Sequence, residues 1–328
     1  MRTSLILTKR LCLHTGIALL TLIGANALHA QPLDKPIRLV VPYAPGGPID
    51  VTARALAERV KDSLGVVIID NKPGAGGNLG VDIVAKAPAD GHTIFFGTTG
   101  NISINPVCMP NLPFNMDKDF TPLMLVASLP FLVYAHPSVP VKNLTELVAY
   151  AKSNPGKINF YSSGNGGLPH LTGELLNNVA GIQTVHIAYK GSAPGMNDLI
   201  GGQVQLGYDT VAIGLQHIKT GRLRALATTG PKRLAILPDV PSTSEFAPGL
   251  EAVNWYGMVV PAGTPRDVIL RLNREITKVL EMPDIKEKLV SQGIDPAANS
   301  PEEFGEFMKS EAAKWARVIR AANIKPDS

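Results

Sequence analysis

The strongest constraint on the fold is a pattern found in both halves of the chain: a short apolar strand runs into a glycine-rich loop that opens a helix. In the first half, Ile37-Arg38-Leu39-Val40-Val41 is followed by the loop Pro42-Tyr43-Ala44-Pro45-Gly46-Gly47-Pro48. A helix is predicted after it over about 49–64, stopped by Gly65. In the second half, a strand over 157–161 enters Ser162-Ser163-Gly164-Asn165-Gly166-Gly167, and a helix follows over about 169–179. Residues 66–69, 93–97, 184–188, 204–208 and 223–228 read as further strands, with helices near 81–85 and 196–200 among them. Strands alternating with helices at this pace give parallel β-α-β units with right-handed crossovers. The stretch 125–135 is strand-like and leads from the first set of units to the second. Asn143 and Glu146 open a helix between them. After Pro248 a strand over 255–260 precedes two amphipathic helices. One has Thr264 as N-cap and Pro265 at N1; the other is opened by the capping box Ser300-Pro301-Glu302-Glu303.

The N-terminus reads as an export signal. Arg2, Lys9 and Arg10 precede an uncharged apolar run over 11–25, shorter than the roughly 20 residues that span a bilayer. Small residues follow, so cleavage is expected after Ala27 or Ala30, making 1–30 a signal peptide and the mature chain periplasmic. Its loss also changes the charge. Three of the 31 Lys+Arg and none of the 27 Asp+Glu lie in that segment, leaving 28 basic against 27 acidic residues. With aromatics at 5% and no basic-aromatic cluster, a nucleic-acid partner is excluded. Of the two cysteines only Cys108 remains, without a partner for an internal disulfide. The mature length exceeds what one hydrophobic core usually serves, so two domains are expected.

Both glycine loops suit anion binding. A helix N-terminus presents unpaired amide donors and the positive end of the macrodipole, and glycine lets a ligand approach the backbone. Gly74-Ala75-Gly76-Gly77-Asn78-Leu79-Gly80 has Leu79 where a dinucleotide fingerprint needs its third glycine. Gly164-Asn165-Gly166-Gly167-Leu168-Pro169 has Pro169 there, and the chain contains no P-loop. Ser163 and His170, with Asp209 as a third group, could form a hydrolytic set, but no Gly-x-Ser-x-Gly elbow surrounds Ser163. His92, His136, His170, His186 and His217 are scattered without metal-ligand spacing, so neither metal nor cofactor is expected.

Lys35-Pro36-Ile37-Arg38-Leu39-Val40-Val41-Pro42-Tyr43-Ala44-Pro45-Gly46-Gly47-Pro48-Ile49-Asp50 resembles the start of mature Bug-family receptors. These are the periplasmic solute-binding components of tripartite tricarboxylate transporters. The resemblance continues through Asn71-Lys72-Pro73-Gly74-Ala75-Gly76-Gly77, Pro88-Ala89-Asp90-Gly91, the loop Ser162 to Gly167 with His170, Tyr189-Lys190-Gly191 and Pro261-Ala262-Gly263-Thr264-Pro265. It implies an α/β fold: a two-domain, type II-like periplasmic-binding-protein architecture with two crossover strands and a central ligand cleft. Domain 1 is then 33–128 with 254–328, and domain 2 is 129–253. It also implies a monomer that captures a small organic acid by one carboxylate, without catalysis, and delivers it to a membrane permease.

Carried onto this chain, the ligand-binding positions are Tyr43, Ala44, Gly46 and Gly47 in the first loop, and Thr98, Thr99 and Asn101 in a third loop. Ser163, Gly164, Gly166, Gly167 and His170 form the second, with Tyr189 and Asp209 toward the distal part of the ligand. A carboxylate at Asp209 would favour a ligand amine or hydroxyl; the competing reading is capping within its own domain. The chain departs from the family pattern at Tyr208, where Phe is usual, and at Gly167-Leu168-Pro169. The rival functions are a sensor whose closed form is read by a partner, and the Ser163/His170 hydrolase.

Overall fold

The structure is a computed structural model and describes residues 35–324 apart from Pro110 and Lys190. The expected signal peptide and its cleavage sites lie outside the described residues. Strands β1 (Ile37–Val41), β2 (Val67–Asn71) and β3 (Thr93–Thr98) are parallel, with β1 central. Helices α1 (Pro48–Leu64) and α2 (Asn78–Ala85) make the crossovers. In α1 the buried Ile49, Ala53, Leu56, Val60 and Leu64 fall on one face at helical spacing and cover the sheet.

The chain then enters β4 (Phe120–Ala135), a strand of 16 residues, and α3 (Leu144–Ser153). A second parallel group follows: β5 (Asn159–Ser162), α4 (Leu168–Ala180), β6 (Val185–Ala188), α5 (Ser192–Ile200) and β7 (Leu206–Thr210), with β5 central. After α6 (Val211–Lys219) and β8 (Arg224–Thr228), the chain returns through β9 (Val253–Pro261) to α7 (Arg266–Leu280), α8 (Pro283–Val290), the two-residue β10 (Asp295–Pro296) and α9 (Pro301–Ala321).

The long strands join the two groups. One path of hydrogen-bonded neighbours runs β2-β1-β3-β9-β4-β7-β5-β6, with β8 and β10 also paired to β4. Residues Phe120–Pro130 of β4 pair antiparallel with β9, and Phe131–Ala135 pair with β7. The sequence predicts only 125–135 of this strand because Pro122 interrupts its pattern. Pro122 is accommodated at a register shift between Pro122 and Met124, where a ladder donor is not required. Two smaller differences are local. Thr264 donates its hydroxyl to the Pro261 carbonyl at 2.7 Å, and the N-cap of α7 is Pro265. Asn143 caps α3 as expected, but Glu146 reaches the amide of Lys142 at 2.7 Å, one residue ahead of the cap.

The last helix serves both groups. Phe304 and Met308, in the first half of α9, pack in one cluster with Phe95, Trp255 and Val259. Trp315, Val318 and Ile319, in its second half, pack with Phe131, Phe160 and Leu171.

Tyr208 is fully buried on β7, and its hydroxyl has no hydrogen-bond partner among the described residues. A buried hydroxyl without a partner costs about 1–3 kcal/mol. Tyr208→Phe is therefore expected to keep or raise the melting temperature, by up to roughly 4 °C. A clear fall in a thermal melt would show that the hydroxyl is satisfied and needed.

Candidate ligand cleft

Strand register places the loops relative to one another. β3 ends at Thr98, opposite Tyr256 of β9, and Tyr256 faces Ala127 of β4. β7 runs the other way and ends at Thr210, opposite Phe131 of β4. The C-terminal ends of the two parallel groups thus converge from opposite sides on the crossover stretch Ser128 to Pro130. In open parallel sheets, ligands bind beyond the carboxyl ends of the strands. The loops after β1, β3 and β5, and Asp209 near the end of β7, all lie at these ends.

The first and second loops share one local construction. Gly47 is the N-cap of α1 with φ −74° and ψ 165°, and Gly167 is the N-cap of α4 with φ −71° and ψ 162°. Neither cap carries a side-chain hydrogen bond, and each helix has proline in its first two positions. The first intrahelical bonds run from Val51 N–H to the Gly47 carbonyl and from Leu171 N–H to the Gly167 carbonyl. Donors ahead of these point out of the helix ends. In each loop the glycine before the cap donates its amide to a side chain four residues on: Gly46 to Asp50 Oδ2 at 2.8 Å, and Gly166 to His170 Nδ1 at 3.0 Å. Gly46 and Gly166 have φ of +89° and +71°, a conformation that L side chains rarely adopt. These two glycines therefore shape their loops, their own amides being engaged within them.

Asp50 organises the first loop. Its buried carboxylate also accepts two bonds from Arg54, at 2.9 and 3.0 Å, and one from Asn71 Nδ2 at 3.0 Å. The Arg54 bonds are the main reason its pKa is held down at about 2. Asn71 Nδ2 also donates to the Tyr43 carbonyl at 2.9 Å. Ala44 is exposed in the same loop.

Tyr43 links the first loop to the third. The residue as a whole is 36% exposed, whereas its hydroxyl is buried, lies 3.1 Å from Thr98 Oγ1 and donates to Asn101 Oδ1 at 3.2 Å. That burial raises the phenol's pKa. Asn101 is fully buried and donates to the Gly76 carbonyl at 2.8 Å. A Cβ on Gly77 would come within 2.3 Å of the Asn101 amide nitrogen. Gly77 therefore makes room for Asn101. Thr99 is also fully buried, with its hydroxyl on β9. The side chains of Thr99 and Asn101 thus hold the third loop from behind.

In the second loop, Ser163, Gly164 and Gly167 are partly exposed, and His170 is buried below them. Ser162 Oγ donates to the Gly164 carbonyl at 2.8 Å and lies 2.6 Å from His186 Nε2. A hydroxyl has one proton, so His186 donates in the second contact. His170 accepts at Nδ1, which places its proton on Nε2, 3.9 Å from Glu174 Oε1. The two imidazoles stack with centroids 3.6 Å apart and an interplanar angle of 10°. Burial, and then the neighbouring His186, lower the His170 pKa to about 4; burial alone brings His186 to about 4.

Both rings are therefore neutral when folded, while the unfolded chain protonates them near 6.5. The stabilisation they bring is complete above pH 6.5 and lost as pH falls towards 4. Glu174 and Asp209, whose pKa values burial raises, act with the opposite sign. The histidine pair is expected to dominate, so the melting temperature should fall from pH 7 to pH 4.5. His186→Gln should flatten that slope; an unchanged slope would assign it to other groups.

Tyr189 and Asp209 are tied down within their own neighbourhood. Tyr189 donates its hydroxyl to Asp198 Oδ2 at 2.6 Å, on α5. Asp209 is buried and accepts from Tyr161 at 3.2 Å, from the Thr210 amide at 2.8 Å and from the Ser192 hydroxyl. Ser192 begins α5, and Thr210 caps α6. The carboxylate thus sits at two helix N-termini, which favour negative charge. This geometry fits the capping reading of Asp209. Sequence reasoning passed over Asp50, Asn71, Ser162, His186 and Ser192. Only Asp50, an acid in the first turn of a helix behind a glycine cap, carried a local signal. A concavity of about 860 Å³ lies between residues 102–122, α7 and α9, and none of the ligand positions expected from the sequence is among its lining residues.

Residues 52–324 match the model of the tripartite tricarboxylate transporter family receptor. The chain belongs to that family. A protein encoded in the tcbD–tcbE intergenic region of Pseudomonas sp. strain P51 is 40% identical over 311 residues, 93% of this receptor and 92% of that protein. BugT of Bordetella pertussis is 34% identical over 294 residues, 89% of this receptor and 90% of BugT. Among solved structures, a Rhodopseudomonas palustris protein with adipate is 33% identical, with a TM-score of 0.75 over 90% of this receptor and 99% of that chain. MatC from the same species, with bound malate, is 29% identical, with a TM-score of 0.71 over 88% of this receptor and all (100%) of that chain. The receptor thus has the two-domain periplasmic-binding-protein fold that the motifs implied, with β4 and β9 as its crossover strands.

Proposed function

We propose that this receptor is exported, captures a small organic acid between its first and second glycine loops, and delivers it to the membrane permease of a tripartite tricarboxylate transporter. The observation that carries the reading is the pair of like-built helix N-termini, each uncapped by a side chain, at strand ends that converge on one crossover stretch. Aligned backbone donors stabilise a carboxylate without a buried cation, because their dipoles are already oriented. The acids bound to two related structures, adipate and malate, support the same ligand class. Capture needs no bond to break. Residues 33–128 with 254–328, and 129–253, are the bodies that close, with β4 and β9 as hinges.

Thermal-shift screening of dicarboxylates, tricarboxylates, amino acids and aromatic acids tests the reading. At least one carboxylate should raise the melting temperature and be recovered unchanged after long incubation. A shift with sugars or cations only would sink it, and turnover lost in Ser163→Ala would replace it with hydrolysis. Mass measurement of the exported protein should show an N-terminus after Ala27 or Ala30.

A further inference from the structure

The two tryptophans of the sequence meet at one carboxylate. Trp255, on crossover strand β9, and Trp315, on α9, both donate their indole N–H to Glu311 Oε2, at 3.2 and 3.0 Å. Glu311 is buried, and its other oxygen accepts from Lys314, whose ammonium also reaches the Glu251 carbonyl at 3.3 Å. The two indoles belong to different apolar clusters, Trp255 packing with Phe304 and Trp315 with Phe131 and Phe160. The carboxylate is therefore placed where the cores of the two strand groups meet.

From Trp255 the contacts lead to the third loop. The Trp255 backbone amide donates to Thr99 Oγ1 at 2.9 Å. Thr99 stands between Thr98 and Asn101, which together hold the Tyr43 hydroxyl. The π-helical turn that follows, Gly100–Ile104, is tied to α9 by Ser103 Oγ, which donates to the Met308 carbonyl at 3.4 Å. Such turns interrupt the regular hydrogen-bond ladder and often mark functional positions.

We infer that Glu311 is a positioning residue of the ligand cleft: through Trp255 and Thr99 it fixes the third loop, and through Trp315 it ties that loop to the second strand group. This rests on the reading that the third loop faces the ligand. A carboxylate with two indole donors and an ammonium is satisfied in one arrangement, so movement of α9 against β9 strains or breaks a bond at Glu311.

Amide exchange of the mature, ligand-free protein tests this without knowledge of the ligand. Glu311→Ala should lose about tenfold in protection at residues 98–104, while β1 and β5 keep theirs. Glu311→Gln retains a carbonyl oxygen for the indoles and should recover part of the loss. Tryptophan emission, which reports on these two rings alone, should shift to the red in Glu311→Ala and less in Glu311→Gln. Faster exchange confined to α9, or spread evenly over the molecule, would overturn the inference. Where wild type binds adipate, affinity for it should fall about tenfold in Glu311→Ala, and an unchanged affinity counts against the inference. An absent adipate response in wild type bears on the proposed ligand class, and the exchange result then decides the role of Glu311.

Discussion

Gly46→Val is expected to reduce affinity for the carboxylate ligand by about a hundredfold while leaving the protein folded. A Cβ at Gly46 meets no atom within 4 Å, so the substitution causes no clash. The defect comes from φ of +89°, which a β-branched residue resists. Escape to negative φ rotates the adjoining peptides, displaces the amide from Asp50 and turns the donors at the start of α1. A control isolates this cause. Gly156 has φ of +72° and equally open space, but it precedes β5 at the end of the strand remote from Ser162. Gly156→Val should lower the melting temperature by a similar amount and leave the dissociation constant unchanged. Calorimetric titration of both variants decides the matter; equal affinity losses would remove the first loop from the site.

Asp50→Ala is expected to lower both stability and affinity. The carboxylate is buried, and its removal leaves the Gly46 amide without its acceptor and the Asn71 amide group with the Tyr43 carbonyl alone. Arg54 is half exposed, so solvent screens that ion pair and the loss falls mainly on the two neutral donors, about 1–3 kcal/mol. In a protein of this size that is roughly 2–5 °C in the melt. Asp50→Asn keeps one acceptor oxygen and should lie between. The native carboxylate also gives stability that is complete above its ordinary pKa of 3.8 and lost as pH falls towards 2. The variant's melting temperature should therefore converge on wild type at the acid end. A constant gap across that range would show that the carboxyl group acts by shape alone.

Where a residue's role is set by its chain neighbours, the sequence was sufficient. The glycine loops, the capping box at Ser300 and the end of α1 before Gly65 follow from local spacing, and the structure has them where the spacing puts them. Distant packing hid the rest. Gly214 looks like a helix breaker in α6, yet its missing Cβ admits the Tyr134 ring, which would otherwise lie 2.2 Å away. The glycines at 74–77 fail as a nucleotide fingerprint, and the reason for Gly76 and Gly77, their contact with Asn101, comes from another loop. His186 had no motif around it; its stacking on His170 depends on β6 lying beside β5. Asp209 was legible as a carboxylate that either faces the ligand or caps within its own domain, but its two helix ends, at Ser192 and Thr210, were not.

The matched caps at Gly47 and Gly167 bear on how such a receptor discriminates. Their backbone angles agree within a few degrees, at −74° and 165° against −71° and 162°. A carboxylate has two equivalent oxygens, and in the capture proposed above two like-built caps would offer each of them the same reception. Such a grip treats the two faces of the acid alike and carries no information about handedness. On that reading, mirror-image ligands are told apart only beyond the first carbon. An achiral acid and either enantiomer of a substituted one would make the same first contact, and selection would rest on how far each lets the cleft close.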